Sequence, residues 1–309
     1  MRYLIASQHS TAGCAHLGGG SGSGNSVGGH PTPFSISLLH LLSDSLPSRH
    51  ASPCPAVSCR VIMQGTLTLM KTTLRNNTAD PAANTDGAAL VALIFGGVAS
   101  SGGGGSGGAM YIETAVQRVV LVNRSSLAQN RAAAHGGALA VGGGPLGSLE
   151  LYDSSTLEYN TAQYGSGAAV YCGGDLGQML MYGGSGAYGN TAKGSNSFGG
   201  VLYATGNVTR IQMYNGSSIS GNSAVRSGGA LYGASSMGEI LLYGASSING
   251  NSVGTGSGGA IHVAQSLGSL RLTDGSSIDN NAAATSGERG SREHGGTCGG
   301  VGSWVGRWY

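Results

Sequence analysis

Residues 228–251 read GGALYGASSMGEILLYGASSINGN, and residues 258–281 read GGAIHVAQSLGSLRLTDGSSIDNN. The two stretches say the same thing in slightly different residues, and more degraded copies precede them. The Asn that closes each copy stands at Asn130, Asn160, Asn190, Asn222, Asn251 and Asn281, in steps of 30, 30, 32, 29 and 30 residues, with Asn77 as an earlier member. A fixed period near thirty is the mark of a solenoid, whose stability comes from neighbouring copies packing on one another. One repeat domain is expected over 61–281.

Within a copy, three short segments alternate apolar and other residues with period two, as half-buried strands do. The GGA segment supplies one inward column, Met110, Leu139, Val170, Leu202, Leu231 and Ile261, and a smaller one two residues on, Ile112, Val141, Cys172, Ala204, Gly233 and Val263. A second strand is led by Val116, Leu146, Leu176, Val208, Met237 and Leu267, then gives inward pairs such as Leu149 with Leu151 and Leu270 with Leu272. The third is the SSI segment that ends in the Asn. Directly after the second strand stand Asn123, Asp153, Gly183, Asn215, Gly244 and Asp274, residue types that tolerate a left-handed backbone. A strand returning thirty residues later beside itself runs parallel to it, and such crossovers are right-handed in nearly all cases. The expected fold is an all-β, right-handed parallel β-helix with three strands per coil, about seven coils and about 34 Å long.

The flanks differ. Residues 1–60 are rich in Gly, Ser, Pro and His and carry no copy of the repeat, so they read as a poorly ordered leader. Inside it, FSISLLHLLSDSL at 34–46 places Phe34, Leu38, Leu41, Leu42 and Leu46 on one helical face behind Pro33, which makes a helical cap the alternative. From Leu90, in GAALVALIF, to Met110 is only 20 residues, so one coil is shortened. Residues 282–309 read as an irregular tail.

Composition bounds the chemistry. Charged residues are 9% of the chain and the net charge is +2, too weak a field to concentrate nucleic acid or an anionic membrane. No apolar run approaches the roughly eighteen residues of a spanning helix. Residues 1–5 fall short of a secretory signal's apolar core. The five Cys (Cys14, Cys54, Cys59, Cys172 and Cys298) have no metal-ligand spacing, although Cys54 and Cys59 could close a small loop. Cys172, in a column of small apolar residues, is expected to be an inert buried thiol.

Apparent catalytic motifs dissolve on inspection. Gly104, Ser106 and Gly108 match GxSxG inside a Gly run, and Gly254, Gly256 and Gly259 match GxGxxG without a helix to aim at phosphate. The eight His show no paired spacing. Asp153 and Asp274 share a column four coils apart, about 19 Å by strand spacing. Glu150 and Glu239 occupy different columns, whereas a two-carboxylate mechanism needs about 5–10 Å. No cofactor and no metal site is expected.

Three columns remain. The Asn column (Asn77, Asn130, Asn160, Asn190, Asn222, Asn251 and Asn281) reads either as a row of polar ligands or as a buried ladder of amides pairing with one another and with backbone groups. Eight of the thirteen Tyr fall in two further columns: Tyr111, Tyr171, Tyr203 and Tyr232, and Tyr152, Tyr182, Tyr214 and Tyr243. Both alternate with inward residues, so both should face solvent. The second is expected to form a flat outward stripe flanked by Glu150, Leu180, Gln212, Leu241 and Arg271. Such stripes either bind a partner or only stack within the sheet. Sequons at Asn76, Asn123, Asn207 and Asn215 permit glycosylation without indicating it.

GGA followed by an apolar residue, and an apolar residue before Asn, resemble the GGAI and FxxN repeats of chlamydial polymorphic outer membrane proteins, and the Gly- and Ser-rich β-helix repeats of algal and bacterial proteins. The resemblance covers about residues 61–281. The Phe of FxxN is here Leu74, Leu127, Leu157, Ala187, Ile219, Ile248 and Ile278, and the residues after Asn281 are too few for that family's membrane barrel. The resemblance implies an extracellular or cell-surface setting. The expected function is a noncatalytic structural or adhesive module that binds a polysaccharide or an extracellular protein. The alternative is a pectin-lyase-like carbohydrate-active enzyme.

Overall fold

A computed structural model describes residues 66–79 and 105–283, together with the strand Ser35–Leu39. These residues form a parallel β-solenoid with no helix, and every strand pair is parallel. Cys14, Cys54, Cys59 and Cys298, the GAALVALIF segment and most of the leader and tail lie outside the described residues.

The GGA strands stack into a six-stranded sheet running from Met110–Ile112 to Ile261–Val263. The second strands, from Thr66–Met70 and Val116–Val122 to Leu267–Leu272, form the widest sheet. The third strands, from Thr73–Arg75 to Ser277–Asp279, form a seven-stranded sheet. A two-residue segment after each Asn, such as Thr161–Ala162, adds a narrow fourth ladder. Its Ala162, Ala192, Ala224 and Val253 form a small core of their own with Ala168.

Inside the leader, Ser35–Leu39 is extended rather than helical. It adds an eighth strand to the widest sheet by pairing with Thr66–Met70 in register. The helical spacing of Phe34–Leu46 was real, but β-branched Ile36 and the alternation of Ser35 and Ser37 with Ile36 and Leu38 also suit a strand. An open sheet edge, with its unpaired backbone groups, favours the extended form.

Register places like over like. Leu149 pairs with Met179, Met179 with Ile211, Ile211 with Ile240 and Ile240 with Leu270. The inward positions are buried through the coils up to Leu242 and Ile248, making one continuous core. Where a column residue is Gly233, the side chain of Met237 occupies the space a Cβ would take.

Turns explain the glycines. The turn that follows the second strand holds a left-handed residue in every coil, with φ of 57° at Asn123, 55° at Asp153 and 51° at Asn215. A second left-handed position directly precedes each ladder Asn, including Gln129 and Tyr159, both at φ 54°. The first Gly of each GGA is left-handed as well, at φ 64° for Gly228. A Cβ on Gly228 would sit 2.4 Å from the Leu231 carbonyl oxygen, whereas one on Gly216 (φ 72°) would meet nothing within 4 Å. Ala245, at φ 59°, occupies the position of Gly216 one coil later. Gly228→Ala is therefore expected to lower the unfolding free energy by about 3 kcal/mol or more, adding steric overlap to backbone strain, and Gly216→Ala by only about 1 kcal/mol. Equal losses in chemical denaturation would show that conformation alone, not space, selects Gly228.

Candidate functional site

The Asn column is buried. Asn130, Asn160, Asn190, Asn222 and Asn251 have no exposed surface. Each repeats one pattern. The backbone N–H and the Nδ2 of Asn160 both donate to Asn190 Oδ1 at 3.0 Å, and Nδ2 also donates to the Leu127 carbonyl of the preceding coil at 2.9 Å. Asn222 does the same with Asn251 Oδ1 and the Ala187 carbonyl. From Asn130 to Asn251 each amide spends both protons and both acceptor sites on its neighbours, so this part of the row offers nothing to a ligand.

A second polar ladder, absent from the expectations above, lies one turn earlier. Thr72, Ser125, Ser155, Ser185, Ser217 and Ser246 are fully buried. Each Ser Oγ donates to the carbonyl three residues before it, at 2.6 Å for Ser155 to Tyr152 and 2.8 Å for Ser217 to Tyr214. Ser125 Oγ also accepts from the Thr72 amide. The signal was in the sequence, since the first Ser of SSI recurs, but Ser is so common in this chain that the position did not stand out.

The first Tyr column is a continuous stack. Tyr171 and Tyr203 rings lie 5.6 Å apart at 5°, Tyr203 and Tyr232 5.3 Å apart at 4°, and Tyr232 and His262 5.1 Å apart at 2°. In the coil where the column residue is Ala140, His135 supplies the missing ring, stacking on Tyr171 at 4.5 Å. Phe198 packs across Tyr203 and Tyr232. Burial pulls the His135 and His262 pKa values down and pushes those of Tyr171, Tyr203 and Tyr232 up. Near-parallel rings at these centroid distances are offset-stacked, each partly covering the next.

The second Tyr column departs from the flat stripe expected of it. Only Tyr214 and Tyr243 are parallel, 5.0 Å apart at 7°. Tyr152 and Tyr182 are tilted by 48° at 6.4 Å, and Tyr182 and Tyr214 by 45° at 6.0 Å. Two of these rings are hydrogen bonded at their hydroxyls. The Tyr152 hydroxyl donates to Glu150 Oε2 at 3.1 Å, and Gln212 Nε2 donates to the Tyr214 hydroxyl at 2.9 Å. Tyr182, flanked by Leu180 with no such tether, stands 43% exposed.

Glu150 also departs from expectation. It lies on the outward side of its strand yet is only 3% exposed. Arg118 holds it with Nε on Oε1 at 3.0 Å and Nη2 on Oε2 at 2.5 Å, and Ser148 Oγ donates to Oε1 at 2.7 Å. Burial pushes this carboxyl up, but the hydrogen bonds from Arg118 and Ser148, the Arg118 charge and the Tyr152 hydroxyl outweigh it, so the net shift is down. Glu239 pairs with Arg210 of the preceding coil at 2.7 Å, at a more exposed place. Both of these carboxylates face a guanidinium, an arrangement suited to structure rather than to proton transfer.

Cys172 is fully buried, its Sγ beside the Gly174 and Asp175 carbonyls, and burial raises its pKa. Ser106 is buried and accepts the His135 amide at 3.3 Å. Among the described residues, no group of three His, Cys, Asp or Glu is placed to hold a metal ion, and no helix is long and apolar enough to cross a membrane. The sequon residues Asn76, Asn123, Asn207 and Asn215 are all exposed, and the first two and Asn215 serve as left-handed turn residues. One recess of about 300 Å³ opens over the third sheet between Arg75, Gln129, Glu158 and Tyr159. Arg75 Nε donates to Gln129 Oε1 there at 2.7 Å.

The fold and its ladders define the chain as a Gly- and Ser-rich parallel β-solenoid repeat protein. No family model, curated protein or solved structure matches it.

Two outcomes test these assignments. Asn251→Leu orphans the backbone amide and one Nδ2 proton of Asn222 and is expected to cost about 1–3 kcal/mol per unsatisfied group, whereas Gln212→Leu on the outward side changes little. Comparable losses in urea would refute the ladder. Glu150 has a folded pKa below its unfolded value, so its contribution is present above the unfolded pKa and fades as the pH falls through the folded one. The stability gap between the parent and Glu150→Gln is thus expected at neutral pH and should close in acid. A gap that persists unchanged into strong acid would place the stabilisation elsewhere.

Proposed function

We propose that this protein is a noncatalytic extracellular or cell-surface β-solenoid, a structural and adhesive module that holds a polysaccharide along the side carrying Tyr152, Tyr182, Tyr214 and Tyr243. The observation that carries the reading is the open ring of Tyr182, 43% exposed between two rings tilted about it by 45° and 48°. Sugar rings have apolar faces, and an uncovered aromatic face suits them. Tyr152 and Tyr214 are held by Glu150 and Gln212, and the turn behind each Tyr is held by the Ser hydroxyl on its carbonyl. The flanking rings and the turn backbone are thus held before binding, which favours affinity. Leu180, Leu241 and Arg271 in the adjoining column offer apolar contact and a cation. The GGA and x-x-Asn wording, similar to that of polymorphic outer membrane protein repeats, supports the surface setting and, with it, an extracellular partner.

Tyr182→Ala is expected to weaken binding of the purified protein to its polysaccharide on a glycan array by about tenfold, the loss of one aromatic contact. Tyr243→Ala, whose face is covered by Tyr214, should weaken it less. Undiminished binding by Tyr182→Ala would reduce the stripe to sheet stacking. Cleavage of pectin or a related glycan by the parent protein would instead favour the lyase-like enzyme.

A further inference from the structure

The residue before each ladder Asn is left-handed in every coil, and in most coils it is Gly or Asn: Asn76, Gly189, Gly221, Gly250 and Asn280. Those types take this backbone at least cost. The exceptions are Gln129 and Tyr159, both at φ 54°, and they are neighbours in the column. Bulky residues held in an uncommon backbone conformation point to a demand on their side chains. Both of them line the recess of about 300 Å³ over the third sheet.

Charge is arranged around the same space. Arg75, Ala128 and Glu158 are cross-strand partners on consecutive coils. The guanidinium and the carboxylate therefore spring from positions about 10 Å apart, with only the Ala128 methyl between them. Gln129 Oε1 accepts from Arg75 Nε at 2.7 Å, and Glu158 Oε1 accepts from Ser126 Oγ at 3.3 Å. Gln129 and Ser126 both belong to the middle coil, so each charged group is held toward the gap from its own side. They do not pair with each other. The ion pairs among the described residues are Arg118 with Glu150 and Arg210 with Glu239. The Nη groups of Arg75 and Oε2 of Glu158 thus remain open to a ligand, beside a Tyr159 ring that is 58% exposed.

We propose that this recess binds a free α-amino acid with an aromatic or apolar side chain, its carboxylate on Arg75, its ammonium on Glu158 and its side chain against Tyr159. A zwitterion supplies a counter-charge to both walls at once, through the charge-assisted hydrogen bonds that are strongest at a guanidinium fork and a carboxylate. A neutral sugar leaves both walls without a counter-charge. A simple anion or cation meets a like charge across the gap. The volume is at the low end for small-molecule sites, which suits one amino acid rather than a chain. The recess lies on a different sheet from the Tyr182 stripe and needs no contribution from it.

Ligand-detected NMR titration of the full-length protein at low salt tests this with phenylalanine, N-acetylphenylalanine, phenylalaninamide and glucose. Phenylalanine is expected to bind, and each derivative, lacking one of the two charges, to bind about tenfold more weakly or worse. Arg75→Gln should remove the preference over phenylalaninamide, and Glu158→Gln the preference over N-acetylphenylalanine. Tyr159→Gly, which suits this backbone as Gly189 does one coil on, should weaken phenylalanine binding by about threefold to tenfold. Arg210→Gln takes an exposed guanidinium from the second sheet and should change nothing. Absence of phenylalanine binding by the parent would overturn the proposal, as would equal binding of N-acetylphenylalanine. Glucose binding that is lost in Arg75→Gln would make the recess a sugar site instead, and binding undiminished in Tyr159→Gly would refute the role of the strained ring.

Discussion

Everything in this molecule depends on each coil returning, after about thirty residues, to the same place one strand spacing along the rod. Once that holds, every side chain lies over its counterpart and each position is tested mainly against itself. Apolar residues gain from this without further conditions. Buried polar ones do so only if a single side chain can donate and accept along the axis. Asn meets the condition fully, with Nδ2 and Oδ1 pairing between coils and the spare proton on a carbonyl. Ser meets it differently, by binding the carbonyl of its own turn. Gly appears where backbone presses on backbone, as at Gly137, where a Cβ would lie 2.3 Å from the Ala168 carbonyl oxygen. The low charge of the chain follows, since a like charge stacked at every coil would repel itself.

The columns were legible in the sequence because they repeat. Parallel pairing, the inward apolar rows and the first left-handed turn can all be read from residue type and period. What could not be read depends on single residues that break the period. Gln129 and Tyr159 take a left-handed backbone although neither is a turn residue, because the Asn after them fixes where the chain must be. Glu150 looked solvent-facing by alternation, yet Arg118, Ser148 and Tyr152 converge on it from its own coil and the one before. Ala140 interrupts a Tyr row, and His135, from a different part of the coil, fills the space. Ser35–Leu39 lies outside the repeat altogether, so only the open sheet edge explains its form.

The two aromatic columns show why a period alone does not define a surface. Both place Tyr on successive coils at one strand spacing, and from the sequence they are equivalent. In the GGA column, nothing competes with stacking, so the rings close up within a few degrees of parallel and cover one another's faces. In the other, Glu150 and Gln212 sit two residues before a Tyr and hydrogen bond its hydroxyl, and the stack is open around Tyr182, which has no such bond. Beside Leu241, Tyr243 is parallel to Tyr214, whereas Tyr182, beside Leu180, is tilted from both of its neighbours. Equal spacing along the rod therefore yields a closed stack in one column and, in the other, a ring that stands 43% exposed between tilted neighbours.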